Sequence, residues 1–446
     1  MKLGFGQFGL CCLLLPIFFA ADGCICCAEP GALRVGVAKV DITPSNPTQL
    51  TNVWETPFTG IHDKIYARAI ILDNGISSAA IISVDTVEIT NGTPIADRIA
   101  KETGIPASNI ILAATRNHSA PMIGLATVEG QRKAGTGSAA FIAKVEDDLV
   151  AALRQAKANM QPARVGFDRG GAGTSASSRL SETASRVAPF SASPASPASE
   201  GVWVMKFETL SGEPLAVLAN FSLHATVIGE KNTLLTGELP GATSRYVEQH
   251  YGNKVVALWT SGTADNQNPI AAISAPDGDQ DFKKVDELGQ ILGESVIHIA
   301  DSISHTTSKP RIWGMERNVA CPGQRVIQNP GAQGKGGTHD GQNSPGGDVK
   351  IVDADPVHFR LGVLMVGDAA LTMVSAEVVN KIYEEVRTRS PFTNTVMVIL
   401  ANGRSGFIAD DAAYDSKDHS APPSTFKRGC GESSVVNGLT DMLWQY

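Results

Sequence analysis

Short, almost wholly apolar runs recur along this chain, and several stop abruptly at a polar, loop-forming tail. "IILAAT" runs into "RNHSAP" at residues 116–121, "LAVLANFSL" into His224, and "VVALWTSG" into "TADNQNP". "LTMVSA" meets Glu377, and "VMVILA" leads into "NGRSG". Apolar runs of this length bounded by turn residues read as buried strands. Amphipathic helical patterns lie between them. In "AAFIAKVEDDLVAALRQAKA", Ile142, Val145, Leu149 and Leu153 share a face, and in "FKKVDELGQILGESVIHIADSI" Val285, Leu288, Leu292, Val296 and Ile299 do. Interleaved strands and helices predict an α/β fold with mixed sheet layers flanked by helices. Ligands in such folds bind beyond the carboxyl ends of strands, where loops vary without disturbing the core.

The 446 residues are 43% hydrophobic and 18% charged, enough apolar material for a large core. Length alone allows two or three domains, or one large α/β domain with long loops. A net charge of −8 with no Lys/Arg blocks excludes a nucleic-acid-binding surface. Lys2, the apolar "GLCCLLLPIFFAA" and the small residues that follow have the order of a secretory signal peptide, residues 1–28, with cleavage after Ala28. Export to the periplasm or medium is therefore expected, with lipoprotein anchoring at Cys24 as a variant. The mature chain then keeps only Cys321 and Cys430, whose pairing an oxidising compartment permits, and a thiolate zinc site is excluded. Residues 168–201, rich in Ser, Ala, Gly and Pro, and 322–348, rich in Gly, Gln and Asn, read as long surface loops.

Among the strand ends, His118, His224 and Glu377 form a candidate two-His, one-carboxylate set, a common arrangement for catalytic zinc with a position left open for water. Each has an ordinary reading as well. A strand-end His is often a hydrogen-bonded structural residue, and Glu377 is read as opening a helix, where a carboxylate is favoured anyway. Asp265 and Asn266 have the chemistry of turn formers. In a strand that continued through "RNHS", Arg116 would lie on the same side as His118.

"VGVAKVDITPS", "GIHDKIYARAIILDNG", "IISVDTVEIT", "IILAATRNHSAP", "TSGTADNQNP" and "SAEVVNKIYEEVR" occur in that order. Together they resemble the catalytic domain of the neutral/alkaline non-lysosomal ceramidases and their bacterial relatives. The resemblance runs from about Val35 to the C-terminus and predicts a single large catalytic-type domain over residues 29–446. The immunoglobulin-like domain that follows in the large ceramidases is not expected here. The resemblance implies zinc-dependent hydrolysis of the amide of an N-acyl sphingoid base or another lipid-like N-acyl substrate, with contact to a membrane surface allowed and the oligomeric state left open.

Residue by residue, His118 matches the second histidine of the family's strand-end motif, His224 the later histidine and Glu377 the late glutamate. Arg116 stands where the first histidine belongs, and the loop tyrosine falls at Arg404 or Phe407. Asn268 takes the place of the family's serine, as in related bacterial sequences. A zinc ion on His118, His224 and Glu377 would activate water and polarise the scissile carbonyl. Asp265 would orient a ligand or relay a proton, and Gln267 or Asn268 would donate to the oxyanion. His62, in the "GIHD" block, is a candidate cleft residue, whereas His339 is read as a solvated loop residue.

A guanidinium stays protonated and cannot ligate a metal. Arg116 and Arg404 therefore suggest an anionic substrate, or alternatively a catalytically silent relative that binds an anionic ligand in the former metal cleft. A serine hydrolase is disfavoured, because no G-x-S-x-G elbow occurs.

Overall fold

Alternate residues of the long strands face two different cores, as period-2 strands between two apolar layers must. In this computed structural model, which describes residues 1, 31–90, 92–124, 138–170, 201–223, 225–229, 231–263, 279–328, 338–339, 342–343, 349–415 and 424–446, the strands are β1 (Arg34–Asp41), β2 (Gly60–Ile61), β3 (Tyr66–Asp73), β4 (Ser78–Val84), β5 (Ile110–Ala114), β6 (Gln161–Gly170), β7 (Val202–Thr209), β8 (Pro214–Phe221), β9 (Leu234–Leu235) and β10 (Val256–Ser261). They continue with β11 (Ile312–Gln328), β12 (Thr338–His339), β13 (Gln342–Asn343), β14 (Val349–Val366), β15 (Ala369–Val374), β16 (Glu377–Val378), β17 (Asn394–Ile399) and β18 (Phe407–Ile408).

Eight strands form one mixed sheet in the order β10-β8-β7-β6-β1-β3-β4-β5, parallel at its two edges (β10 with β8, β4 with β5) and antiparallel between. A second sheet runs β11-β14-β15-β17, with β15 and β17 parallel. Ile70, Ile81, Ile111 and Leu218 of the first sheet meet Leu364, Leu371, Val396 and Val398 of the second in one buried layer. The opposite faces carry helices. The helix Ala139–Ala158 buries Val145, Leu149 and Leu153 against Ala38, Ile71 and Ile82. The helices Glu238–His250 and Asp279–Ser302 cover β7, β8 and β10, with Leu288, Leu292 and Val296 against Val204, Val217 and Trp259. The helices Asn380–Arg389 and Gly431–Leu443 cover the second sheet through Ile382, Val386 and Leu439. The architecture is thus helix, sheet, sheet, helix, the mixed sheet layers expected from the sequence. Each large apolar residue buried this way contributes about 1.5–3 kcal/mol, so the predicted helix faces are the ones the layers use.

Two expected loops are shorter than the sequence suggested. β6 continues to Gly170, because Asp168, Arg169 and Gly170 pair with Val204, Trp203 and Val202. Residues 322–328 belong to β11, which pairs with β14 in a hairpin bulged between Cys321 and Gly323. Backbone pairing outweighed the loop-like composition in both segments. Residues 171–200 and the leader lie outside the described residues. Cys321 on β11 and Cys430, just before the last helix, form a disulfide with Cα atoms 5.7 Å apart. It closes a 109-residue separation and joins the hairpin to the C-terminal helix. Among the described residues, no helix is long and apolar enough to cross a membrane.

Close approach of helix and sheet depends on Gly36 in β1, where an added Cβ would lie 1.9 Å from the Ala156 carbonyl oxygen. Gly36→Ala is expected to destabilise the fold by roughly 1–3 kcal/mol in denaturant unfolding, the usual cost of overpacking. Gly229→Ala, where among the described residues no atom beyond its chain neighbours lies within 4 Å of the new Cβ, should leave the midpoint nearly unchanged.

Candidate active site

β5 ends at Ala114, and the residues after it are held on every side. The Asn402 side chain accepts from Leu112 N–H at 2.8 Å and donates to the Ile110 carbonyl at 2.7 Å, fixing β5 to the segment that leaves β17. Thr115 N–H donates to the Val84 carbonyl, and Asn117 N–H to that of Thr86. The Asn117 side chain accepts from Ser119 N–H at 2.9 Å and donates to the Thr236 carbonyl at 2.7 Å. Arg116, Asn117, His118 and Ser119 are all buried.

Arg116 has φ +63°, in the left-handed region that a branched or long side chain seldom occupies. Strand alternation therefore stops before Arg116, and the expected shared side with His118 is replaced by a turn. Leu400 (φ +51°), Asn402 (φ +58°) and Glu238 (φ +49°) are also left-handed. Such conformations cost of order 1–3 kcal/mol each and persist where surrounding contacts over-determine them. Three of them, Arg116, Leu400 and Asn402, follow the ends of β5 and β17, and Glu238 opens a helix.

The turn sends the Arg116 guanidinium to Glu377, with Nη2 2.5 Å from Oε2 and side chains only 6% and 16% exposed. Glu377 does not open a helix, as the sequence suggested. It sits in β16, where its N–H donates to the Gly406 carbonyl and it pairs with Phe407 of β18, and the helix begins at Asn380. His118 Nδ1 lies 2.8 Å from the Arg116 carbonyl and 3.0 Å from Thr226 Oγ1. A carbonyl only accepts, so that bond requires a proton on Nδ1, and in the neutral ring the lone pair is then on Nε2. The Trp54 ring lies tilted against the His118 ring, centroids 5.5 Å apart. Arg404 Nε lies 2.8 Å from Glu88 Oε2, beyond the end of β4, as a charge contact and not an in-line hydrogen bond.

Beneath His118 lies Glu238, which the sequence reading did not single out. Its Oε1 accepts from the Val227 and Ile228 N–H groups at 2.7 and 3.0 Å, and the His118 backbone and Ser119 hydroxyl face the same carboxyl. Burial raises its pKa to about 7 despite those donors. The neighbouring Asp63 accepts from Thr236 Oγ1, Gly237 N–H and Arg245 at 2.7, 2.7 and 3.0 Å, fixing the start of the helix Glu238–His250.

The structure therefore pairs Arg116 with Glu377, ties the His118 ring to the Arg116 backbone, and places Arg404 on Glu88. His62 is exposed and stacks on Phe282 with ring centroids 3.7 Å apart, next to Asp63. His224, Asp265, Gln267 and Asn268 lie outside the described residues. Thr226, Glu88, Asn117 and Glu238 also shape the site. Asn117 lies inside the "RNHSAP" motif itself, whereas nothing in their spacing announces Thr226, Glu88 and Glu238, each of which reaches the site from a loop or helix start distant in sequence.

Fold and site define an α/β sandwich protein with a largely buried polar cluster at the carboxyl ends of its strands. Residues 33–279, over half the chain, match the family described as Neutral/alkaline non-lysosomal ceramidase, N-terminal. The chain is 24% identical to a neutral ceramidase of Pseudomonas aeruginosa over 300 residues, which cover 63% of this chain and 43% of that protein, less than half its length. The crystal structure of neutral ceramidase from Pseudomonas aeruginosa superposes with a TM-score of 0.70 at 18% identity, covering 93% of this chain and 74% of that one. A ceramidase complexed with C2 superposes equally well, with 75% of that chain covered. The chain belongs to the neutral/alkaline non-lysosomal ceramidase family.

Glu238 generates a pH prediction. Its folded pKa of about 7 lies above the ordinary carboxyl range near 4.3, so the folded protein favours the protonated form. That contribution is complete below the unfolded pKa and is lost as pH rises through about 7. Unfolding free energies measured from pH 4.5 to 8 should show the wild type losing on the order of 3 kcal/mol relative to Glu238→Gln. Parallel profiles for the two proteins would refute the assignment.

Proposed function

We propose that this chain is an exported amide hydrolase of the ceramidase type, acting on a sphingolipid-like or other N-acyl substrate. The observation that carries this reading is the family match over residues 33–279, which includes the whole buried loop Arg116–Ser119. Hydrolysis adds water across the amide, so that the C–N bond breaks to a carboxylic acid and a free amine. The developing negative charge on the carbonyl oxygen calls for a fixed positive group in a site shielded from water, where electrostatic stabilisation is strongest. Arg116 is such a group. His118, with its lone pair on Nε2, has the form needed to take a proton from the attacking water. Asp265 is assigned to orienting or relaying a proton, and Gln267 or Asn268 to the oxyanion, as the resemblance implies. Export is supported by the Cys321–Cys430 disulfide, which persists in oxidising compartments.

Zinc on His118, His224 and Glu377 is the family expectation; His224 lies outside the described residues, and the chemistry at the other positions argues against the ion. Glu377 is bound by a guanidinium, Arg116 replaces a histidine, and among the described residues no three His, Cys, Asp or Glu side chains converge on one point. No step is therefore assigned to a metal. A second reading is a catalytically silent relative that binds an anionic ligand through Arg116 and Arg404 without turning it over.

Release of free amine from a fluorescent N-acylsphingosine and from an anionic N-acyl amino acid separates the two readings. Turnover by the wild type that falls about 10²–10⁴-fold in His118→Ala, the usual contribution of a general base, is expected for the hydrolase. Saturable binding of either amide with no amine released would leave only the binding reading. Non-reducing peptide mapping of protein recovered from the exporting host should show Cys321 joined to Cys430, and free thiols there would count against export.

A further inference from the structure

We infer that the Arg116 guanidinium takes the place of a metal ion in this cleft, so that the site's fixed cation is an arginine side chain and the protein binds no zinc there. The observation is a juxtaposition of strand ends. β5 and β17 meet at the Ala113–Ala401 bridge, and β17 is hydrogen-bonded to β15. Arg116 leaves the end of β5, Glu377 follows β15, Arg404 follows β17, and Glu88 follows β4. Two ion pairs cross these ends, Arg116 to Glu377 and Arg404 to Glu88.

A divalent ion would need the Glu377 carboxylate as a ligand, and a guanidinium 2.5 Å from that carboxylate already neutralises it. The two cations compete for one anion, and a protonated guanidinium held at the same carboxylate repels a divalent ion. The left-handed turn at Arg116 and the bond from His118 Nδ1 to the Arg116 carbonyl hold the guanidinium in register with Glu377. Removing either partner of a pair this buried leaves an uncompensated charge, so the pair is self-maintaining. An arginine in this position offers planar donors to a carboxylate, phosphate or developing oxyanion, where zinc would offer an open coordination site. The inference holds whether or not the chain hydrolyses an amide.

Equilibrium dialysis against zinc alone, followed by elemental analysis, tests it on the full-length protein. Wild-type protein is expected to retain only substoichiometric zinc and to show no zinc-dependent shift in thermal melting. Arg116→His, confirmed folded by circular dichroism, is expected to gain about one zinc per chain and a zinc-dependent rise in melting temperature. Stoichiometric zinc on the wild type that disappears in Glu377→Gln would overturn the inference. A folded Arg116→His variant that takes up no zinc would overturn it as well, since the arginine would then not be what excludes the metal. Should that variant fail to fold, the wild-type and Glu377→Gln measurements decide the question by themselves.

Discussion

The side chain of Asn402 holds the two sheets together where it matters most. Its amide bonds the backbone of β5 on both sides, at Leu112 N–H and the Ile110 carbonyl, and its own N–H returns to the Leu112 carbonyl. A buried amide with both ends satisfied is strong because no water competes, and losing one partner would strand the other. Through this contact the end of β17 sits beside the end of β5, and every cross-sheet interaction of the cleft follows. Arg116 can reach Glu377, and Arg404 can reach Glu88, only because these strand ends are fixed relative to one another.

The cleft combines strained backbone with buried charge. Four left-handed residues that are not glycine, Arg116, Glu238, Leu400 and Asn402, surround it. Conformations of this kind are kept where neighbouring contacts hold them, and they gather where a fold positions functional groups. Three layers of polar contact lie at the same place. The Arg116–Glu377 pair joins the end of β5 to β16, His118 is oriented by a carbonyl and a threonine, and Glu238 sits buried below. The ion pair is weak as a source of stability, since burying two charges costs nearly what their attraction returns. Its consequence lies in what it excludes and what it presents to a ligand.

Membership of the ceramidase family and the identity of the cleft are separate matters. The family match covers residues 33–279, and Glu377 and Arg404 lie beyond it. The fold supplies the strand ends, and the side chains placed on them set the chemistry. Here a guanidinium has entered a set where the family resemblance places an imidazole. In the inference drawn above, the central charge of the site is an arginine's where the resemblance implies a metal's.

Much of this was legible in the sequence. Apolar runs of strand length fixed the strands, and 3.6-residue periodicity fixed the buried faces of the helices at Ala139–Ala158 and Asp279–Ser302, because burial of one face is what makes either element stable. The breaks after "IILAAT" and "LTMVSA" marked the strand ends from which Arg116 and Glu377 meet, and the resemblance marked Arg116 as standing where it implies a histidine. The sequence could not show which side chain Arg116 would meet. Glu377 lies 261 residues away and read as a helix start, whereas pairing with Phe407 made it a strand residue. The strand character of 168–170 and 322–328 was hidden by loop-like composition until partner strands supplied their hydrogen bonds. Glu238, Thr226 and Glu88 had no local pattern to mark them. Local patterns determine secondary structure because the forces that set them act within a few residues. Which charges meet across a cleft is decided only when distant strand ends are brought together, and that was the work of the tertiary structure.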